Sequence, residues 1–536
     1  VLTSDEQAGV TEPAPGPERS RSRWRVRGAD LERRLAGPYR MVASTALGVI
    51  VLAILGTAMG PQWDPLPLTD PLEVESTSTA IGGAPALRTY EVKTSVITVQ
   101  LDGTTVQAKV QEPVGATGPL PGVVFVHGAG TGSHATAFRE QSAAMAAAGI
   151  VTLVPDKRLD TYSLRHRDYV TMAGDYERSV EALRGLAGVD PDRVGVYAES
   201  EGAWIAPVMA AKDPRIAFVV LTSAPVVPPR EQGAFAADNY LRNTNVPRGV
   251  FRAIPRAVGM ALPGGSIDYA DFDVTPWQRQ MRQPVLVAYG TGDSSMPIVQ
   301  GAEQIIRDTA IAGNNDVTVR YYAHANHGMK LPDGVMAPDF LTGLSGWVLG
   351  LPQTADAPPR IAGDQPEQEF VAAPVPQPRW LRSGDVVLGT VLVSGALVLL
   401  PLLVVPGARV VEAARRSRGG AVHRLARGVP VRLAVFGTAT VLTVVALVWY
   451  IVAIARLALD YAHNDWVVKG GWIGVRVLGI AAVVAGLVVV AALRRPRAQD
   501  APRTGVVRSV VAWGAVVGSC VLLVVLAYWG VFQLGI

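Results

Sequence analysis

Hydrophobic positions along the chain fall into two regimes. Between residues 90 and 322 short apolar runs alternate with amphipathic stretches, whereas near residue 50 and beyond residue 385 apolar residues form long unbroken blocks. In the first regime, residues 90–111 alternate apolar and polar side chains about Asp102 and Gly103, a strong two-residue turn signal, and predict a hairpin. Apolar runs at 123–126, 150–154, 194–197, 218–222, 285–289 and 317–322 read as buried strands, and the stretches 135–148, 169–186, 202–211 and 302–312 as helices. Strands alternating with helices predict an α/β class: a mostly parallel sheet with helices on both faces. Residues 223–283 interrupt the alternation with aromatics, prolines and short apolar runs. An insertion there would cover the carboxyl ends of the strands, where ligands bind in such sheets, so it is expected to be a lid.

The long blocks run roughly over 41–60, 386–407, 433–455, 477–493 and 510–534. Each approaches or exceeds the roughly 20 helical residues that cross a hydrocarbon core of about 30 Å. They divide the chain into a basic, partly disordered tail (1–40), an uncleaved signal anchor (41–60), a linker (61–89), an α/β domain (90–351), a Pro-rich linker (352–384) and a four-helix transmembrane region (385–536). The polar leader before the first block is much longer than the n-region of a cleaved signal peptide. Neither linker has a periodic apolar face, so both are expected to hold the folded part off the bilayer.

A length of 536 residues exceeds one ordinary domain, and a mean hydropathy of +0.25 places part of the chain in lipid. The net charge of +4 does not point to nucleic acid, because the arginines cluster beside the apolar blocks. Eight precede the first block, seven (Arg409 to Arg432) follow the second, and five (Arg494 to Arg508) follow the fourth. Positive charge beside a span stays cytoplasmic, so these segments predict a multi-pass plasma-membrane protein with a cytoplasmic tail and the α/β domain on the outer face. Between the third and fourth blocks, Arg456 and Lys469 mix with Asp460 and Asp465, as suits the outer side; Arg476 is expected to snorkel. The spans otherwise lack charge, which favours anchoring and close helix packing over transport. The single cysteine, Cys520, leaves the outer domain without a disulfide or thiolate metal site.

The chemistry concentrates after the run 194–197. Ala198, Glu199, Ser200, Glu201 and Gly202 put a serine between a strand and a helix. A serine at such an apex can be an activated nucleophile if a base and amide donors lie near. An acid and a histidine are expected later in the chain, and Asp293 and His327 follow strands in that order. Asp293 can fix the tautomer of the histidine and stabilise its cation. His327 is preferred to His324 because it is followed by glycine and lies farther beyond its strand. Backbone donors for an oxyanion are the amides of Glu201, directly after the serine, and Ala129, in the loop His127 to Gly130. His127 is expected to order that loop. Glu199 and Glu201 are assigned to a salt bridge or hydrogen bond at the elbow and a partly solvated position; two residues apart, they cannot flank a sugar from opposite faces. His134 and His166 lack metal-ligand spacing, so no metal and no cofactor is expected.

Asp156, Lys157 and Arg158 after a strand, with segments 192–207, 217–225 and 284–293, resemble the α/β-hydrolase superfamily. They are most similar to exported esterases of its prolyl-oligopeptidase, dienelactone-hydrolase and acyl-thioesterase branches. The resemblance spans about 92–350 and none of the membrane part. It implies an α/β-hydrolase fold with an inserted lid, a Ser200, Asp293, His327 triad and an ester-like substrate. Ala198, Ala203 and Leu159 depart from the pattern. The expected activity is carboxylic ester hydrolysis through an acyl-enzyme, on a small-molecule or lipid ester, with membrane lipids as the other partner and the oligomeric state open. Acyl transfer or thioester cleavage on envelope lipids or sugars is the alternative reaction. A non-catalytic membrane sensor is the alternative class.

Overall fold

The computed structural model describes residues 19–130, 132–416, 425–459, 462–494 and 504–534. The first part of the expected disordered tail, with Asp460, Arg418, Arg424, Arg495, Arg497 and Arg503, lies outside the described residues.

The hairpin forms as β1 (Val92–Gln100) and β2 (Thr105–Pro113). The strands β3 (Leu120–Val126), β4 (Val151–Pro155), β5 (Val189–Glu199), β6 (Val219–Thr222), β7 (Val285–Gly290), β8 (Val317–Tyr322) and β9 (Ile361–Gly363) complete one sheet. Its order is β1-β2-β4-β3-β5-β6-β7-β8-β9. β1, β2 and β4 pair antiparallel, and every pair from β4–β3 to β8–β9 is parallel. Strand residues alternate between two cores, as a period of two requires. On β3, Val124 and Val126 join the face that packs against Tyr176 and Trp204, whereas Val123 and Phe125 join the face that packs against Met145 and Trp347.

Among the described residues the α-helices are α1 (Arg19–Ala58), α2 (Arg139–Ala148), α3 (Tyr169–Arg184), α4 (Gly202–Lys212), α5 (Pro229–Asn243), α6 (Arg248–Phe251), α7 (Thr275–Gln278), α8 (Ile298–Ile311), α9 (Pro338–Gly350), α10 (Gly384–Arg416), α11 (Val429–Leu459), α12 (Trp472–Leu493) and α13 (Val506–Tyr528). A mostly parallel sheet between helical layers, plus long apolar helices, is the α/β-hydrolase arrangement with membrane segments. Among the described residues five helices are long and apolar enough to cross a membrane: Tyr39–Ala58, Gly384–Ala414, Val429–Ala458, Trp466–Leu493 and Val506–Tyr528. They touch through small residues. A methyl group on Gly56 would lie 2.0 Å from the Ala527 carbonyl, and one on Gly518 2.6 Å from that of Ser394. Arg508 donates to Glu412 at 2.6 Å, tying the start of α13 to the end of α10. Arg476 gives Nη2–H to the Gln533 carbonyl at 2.7 Å, so a backbone acceptor beyond α13 takes its charge.

The insertion at 223–283 folds as α5, α6, a π-helical turn (Ile254–Val258) and α7. It does not simply cap the sheet. Ala234, Leu241, Val246, Val250 and Ile254 share one apolar cluster with Tyr450 and Trp472 of the membrane helices and with Val531 and Phe532 just beyond α13. Arg256, fully buried, pins the contact by donating to the carbonyls of Gly60 (3.2 Å), Pro61 (3.2 Å) and Tyr528. Burial lowers its guanidinium to about 10, still charged at neutral pH.

The two Pro-rich linkers are not free tethers. Leu68 N–H bonds Glu369 O at 2.9 Å and Val371 N–H bonds Leu66 O at 2.8 Å, so the segments run together along the domain. The second also contributes β9 to the sheet. Arg320, buried in β8, donates to the carbonyls of Thr79, Ala80, Pro359 and Arg360. Proline-rich backbone keeps its carbonyls as acceptors, and a buried guanidinium with five donors gathers them without any apolar periodicity.

Candidate active site

Every residue of the candidate site follows the carboxyl end of a strand: His127 to Gly130 after β3, Lys157 after β4, Ser200 after β5, Asp293 after β7 and His327 after β8. Parallel pairing puts these ends on one edge of the sheet, which is how positions far apart in sequence meet.

Ser200 sits at φ 55°, a left-handed conformation uncommon for a residue other than glycine. Its N–H bonds Thr222 O at 3.0 Å and its carbonyl takes the Ala203 N–H at 2.9 Å, so neighbours on both sides hold the turn. The tightness explains the small residues. A methyl group on Gly202 would lie 2.5 Å from the Val126 carbonyl, and one on Gly128 3.2 Å from Ser200 Cβ. Ala198, where the common pattern has glycine, is accommodated fully buried.

Asp293 and His327 meet: Nδ1 of the histidine lies 2.8 Å from Oδ2 of the buried carboxylate. Burial pushes the Asp293 carboxyl up, but His327 and the Ser295 donors outweigh it and hold the group below its ordinary value. For His327, burial favours the neutral ring, yet Asp293, with Glu199 adding to it, raises the imidazole above its ordinary value. Ser223 Oγ donates to the His327 carbonyl at 2.7 Å and fixes that loop. His324 is exposed, and among the described residues no hydrogen bond joins its ring to Asp293. Among the described residues no hydrogen bond joins Ser200 Oγ to His327, a contact that in hydrolases often tightens only with substrate bound.

The N–H groups of Ala129 and Glu201 donate to no acceptor among the described residues. His127 is fully buried with Nε2 2.6 Å from Pro155 O, and burial lowers its ring to about 4, which makes it a neutral strut for the loop.

Three features were not read from the sequence. Ser295 donates to Asp293 Oδ1 through its N–H (2.9 Å) and hydroxyl (2.6 Å). The Asp-x-Ser spacing, typical of such turns, was the available signal. Glu201 is not solvated but almost wholly buried. It accepts from Lys157 (2.9 Å), Arg167, Tyr162 (2.9 Å) and Tyr169 (3.3 Å). Glu199, by contrast, is half-buried, takes the Tyr197 hydroxyl at 3.1 Å, and is raised by burial. Lys157 also donates to Gly128 O at 2.7 Å, so one buried ammonium bridges the loop of Ala129 and the side chain of Glu201. Burial pulls this ammonium below its ordinary value, and Glu201 opposes the shift. His134 and His166 pair with Asp156 and Asp268, and no cluster suited to a metal ion occurs among the described residues.

Fold and site together define a protein of the α/β-hydrolase fold with candidate membrane helices. Residues 175–335, which include Ser200, Asp293 and His327, match the family described as BAAT / Acyl-CoA thioester hydrolase C terminal. Among solved structures, a putative dienelactone hydrolase from Klebsiella pneumoniae subsp. pneumoniae MGH 78578 is 17% identical, with 50% of this chain and 99% of that one covered at a TM-score of 0.35. Est1E from Butyrivibrio proteoclasticus is 14% identical over 49% of this chain and 99% of its own, at 0.33. A putative dipeptidyl aminopeptidase IV from Bacteroides ovatus ATCC 8483 is 16% identical over 49% of this chain and 35% of its own, at 0.34. Comparison with curated proteins gives no match.

Proposed function

We propose that the chain is a membrane-anchored serine hydrolase that cleaves carboxylic esters through Ser200, His327 and Asp293. The observation that carries this is Ser200 held at φ 55° on the sheet edge where His327 meets Asp293 at 2.8 Å. His327 takes the Ser200 proton as Oγ attacks the ester carbonyl, and Asp293 stabilises the imidazolium. The amides of Ala129 and Glu201, at the site with no other acceptor, hold the oxyanion. Collapse expels the alcohol, which leaves with the proton from His327. Water, deprotonated by the same ring, then releases the acid and restores Ser200. The test is labelling by a fluorophosphonate together with turnover of p-nitrophenyl esters. Both are expected for the wild type and abolished in Ser200→Ala; a folded wild type that does neither refutes the reading and favours the sensor. Because the matched family is named for thioester hydrolysis, an acyl thioester belongs in the same panel.

The domain is assigned to the outer face of the membrane. The insertion and its neighbours contact the carboxyl end of α1, the start of α10, the start of α12 and the carboxyl end of α13. These ends lie opposite the Arg-rich segments, which the charge rule keeps cytoplasmic. Ser163→Cys in a Cys520→Ala background should react with an impermeant maleimide on intact cells; protection until lysis would reverse the assignment.

A further inference from the structure

A cavity of about 570 Å³ opens beside the membrane-facing side of the insertion. Val258, Met260, Leu262, Ile267 and Tyr269 line it with partly exposed apolar side chains, the Arg230–Asp271 ion pair lies among them, and exposed Arg382 is also part of the lining. Its position is fixed to the bilayer boundary by direct bonds. Ala261 N–H bonds Arg382 O at 2.9 Å, Gly384 N–H bonds Ala261 O at 2.8 Å, and Gly264 N–H bonds Asp385 Oδ1 at 2.8 Å. Gly384 and Asp385 are the first residues of the span Gly384–Ala414. Trp380, 76% exposed just before it, and Arg382 are the residue types that settle at a lipid headgroup level.

The cavity lining is joined to the site through side chains. The Tyr269 ring lies 4.5 Å from the Arg167 guanidinium, and Arg167 donates to Glu201, the residue after Ser200. A second link runs through α5. Gln232 and Asn239 donate to the carbonyls of Ser295 and Ser294 beside Asp293, each at 3.0 Å, while Ala234 and Leu241 of the same helix pack among the membrane helices. The turn that carries Asp293 therefore stands about one helix diameter, roughly 10 Å, from the membrane helices.

Resting on the ester-hydrolase reading above, we infer that the substrate is a bilayer-resident ester, a lipid whose acyl chain enters this cavity from the membrane while its carbonyl reaches Ser200. An apolar chain leaving lipid for the apolar side chains of this cavity keeps most of its hydrophobic burial on the way. A water-soluble ester of a small acid would gain nothing from a cavity so placed. Arg382 would attend the polar end of neighbouring lipids.

The test uses the full chain in phosphatidylcholine nanodiscs, with p-nitrophenyl acetate and p-nitrophenyl decanoate as substrates. Ile267→Trp, which fills the cavity, should lower the decanoate-to-acetate ratio of kcat/KM at least ~10-fold, since each lost methylene contact in an apolar pocket is worth about that much. An unchanged ratio in a variant that melts like the wild type overturns the inference. Photolysis of a diazirine-bearing palmitate ester with the unmodified protein decides the matter independently of any variant. Adducts on residues 258–269 are expected, and adducts confined to the spans would overturn the proposal. If acetate turnover and fluorophosphonate labelling are both absent, the hydrolase reading has failed instead.

Discussion

Lys157→Met keeps the bulk of the side-chain stem and removes the ammonium that joins two parts of the site. The Gly128–Ala129 peptide is trans and planar, so its C=O and N–H point in opposite directions. A Lys157 Nζ contact of 2.7 Å to that C=O therefore fixes where the Ala129 N–H points. The same Nζ, 2.9 Å from Glu201 Oε2, holds the residue that supplies the other amide. Both side chains are 1% exposed. Removing one partner from a buried pair costs ~3–5 kcal/mol. Glu201 keeps Arg167, Tyr162 and Tyr169, which puts the loss near ~3 kcal/mol. Deleting an oxyanion donor costs ~10²–10³-fold in rate; one loosened rather than deleted should cost ~10- to 10²-fold in kcat with KM nearly constant. The assays are thermal melting of the full chain in detergent and steady-state ester hydrolysis on the fraction that remains folded. Glu201→Gln is the control: it also breaks the ion pair but leaves the Lys157 to Gly128 bond in place, so it should lose stability with a smaller fall in kcat. If folded Lys157→Met keeps the wild-type kcat, or if both variants lose rate in step with stability, Lys157 does not orient the Ala129 amide.

Asp293→Asn should lower kcat by about 10⁴-fold by removing the group that selects the histidine tautomer. In the proposed mechanism His327 must be neutral, so kcat/KM should rise with pH through a value above about 6.5, and any activity left in Asp293→Asn should titrate lower. The raised His327 value also favours folding below about pH 6.5, a contribution lost as pH climbs through the folded value. His127 acts in the opposite sense: its ring is depressed to about 4, so stability is present above about pH 6.5 and lost as pH falls toward 4. The full depression corresponds to roughly 3 kcal/mol, and His127→Phe should flatten that acid limb in pH-dependent melting, at the cost of the bond to Pro155 O. Arg256→Met strips the donors from three carbonyls at the junction with the membrane helices, each worth ~1–3 kcal/mol if left buried. It should expose the insertion to limited proteolysis while leaving the sheet folded, and unchanged cleavage kinetics would refute the pin.

Local pattern by itself determined the hairpin about Asp102 and Gly103, the buried strands up to β8, the five long apolar helices and the order serine, acid, histidine. Each is written in a short window: a period of two, an unbroken run long enough for a bilayer, or a small residue beside the candidate serine. β9 has three residues and no period, so only pairing with β8 makes it a strand. The Pro-rich segments looked like free tethers because their carbonyls carry no pattern, and Arg320, some 240 residues away, turns them into structure. Glu201 is an acidic residue in a tight turn until Lys157, Arg167 and two tyrosines close around it; charge is affordable in a core only where partners arrive together. The packing of the insertion on the membrane helices was likewise invisible, because apolar residues at 234, 241 and 250 announce burial but not against what. Sequence specifies what each segment must bury, and the tertiary structure decides which distant surface it is buried against.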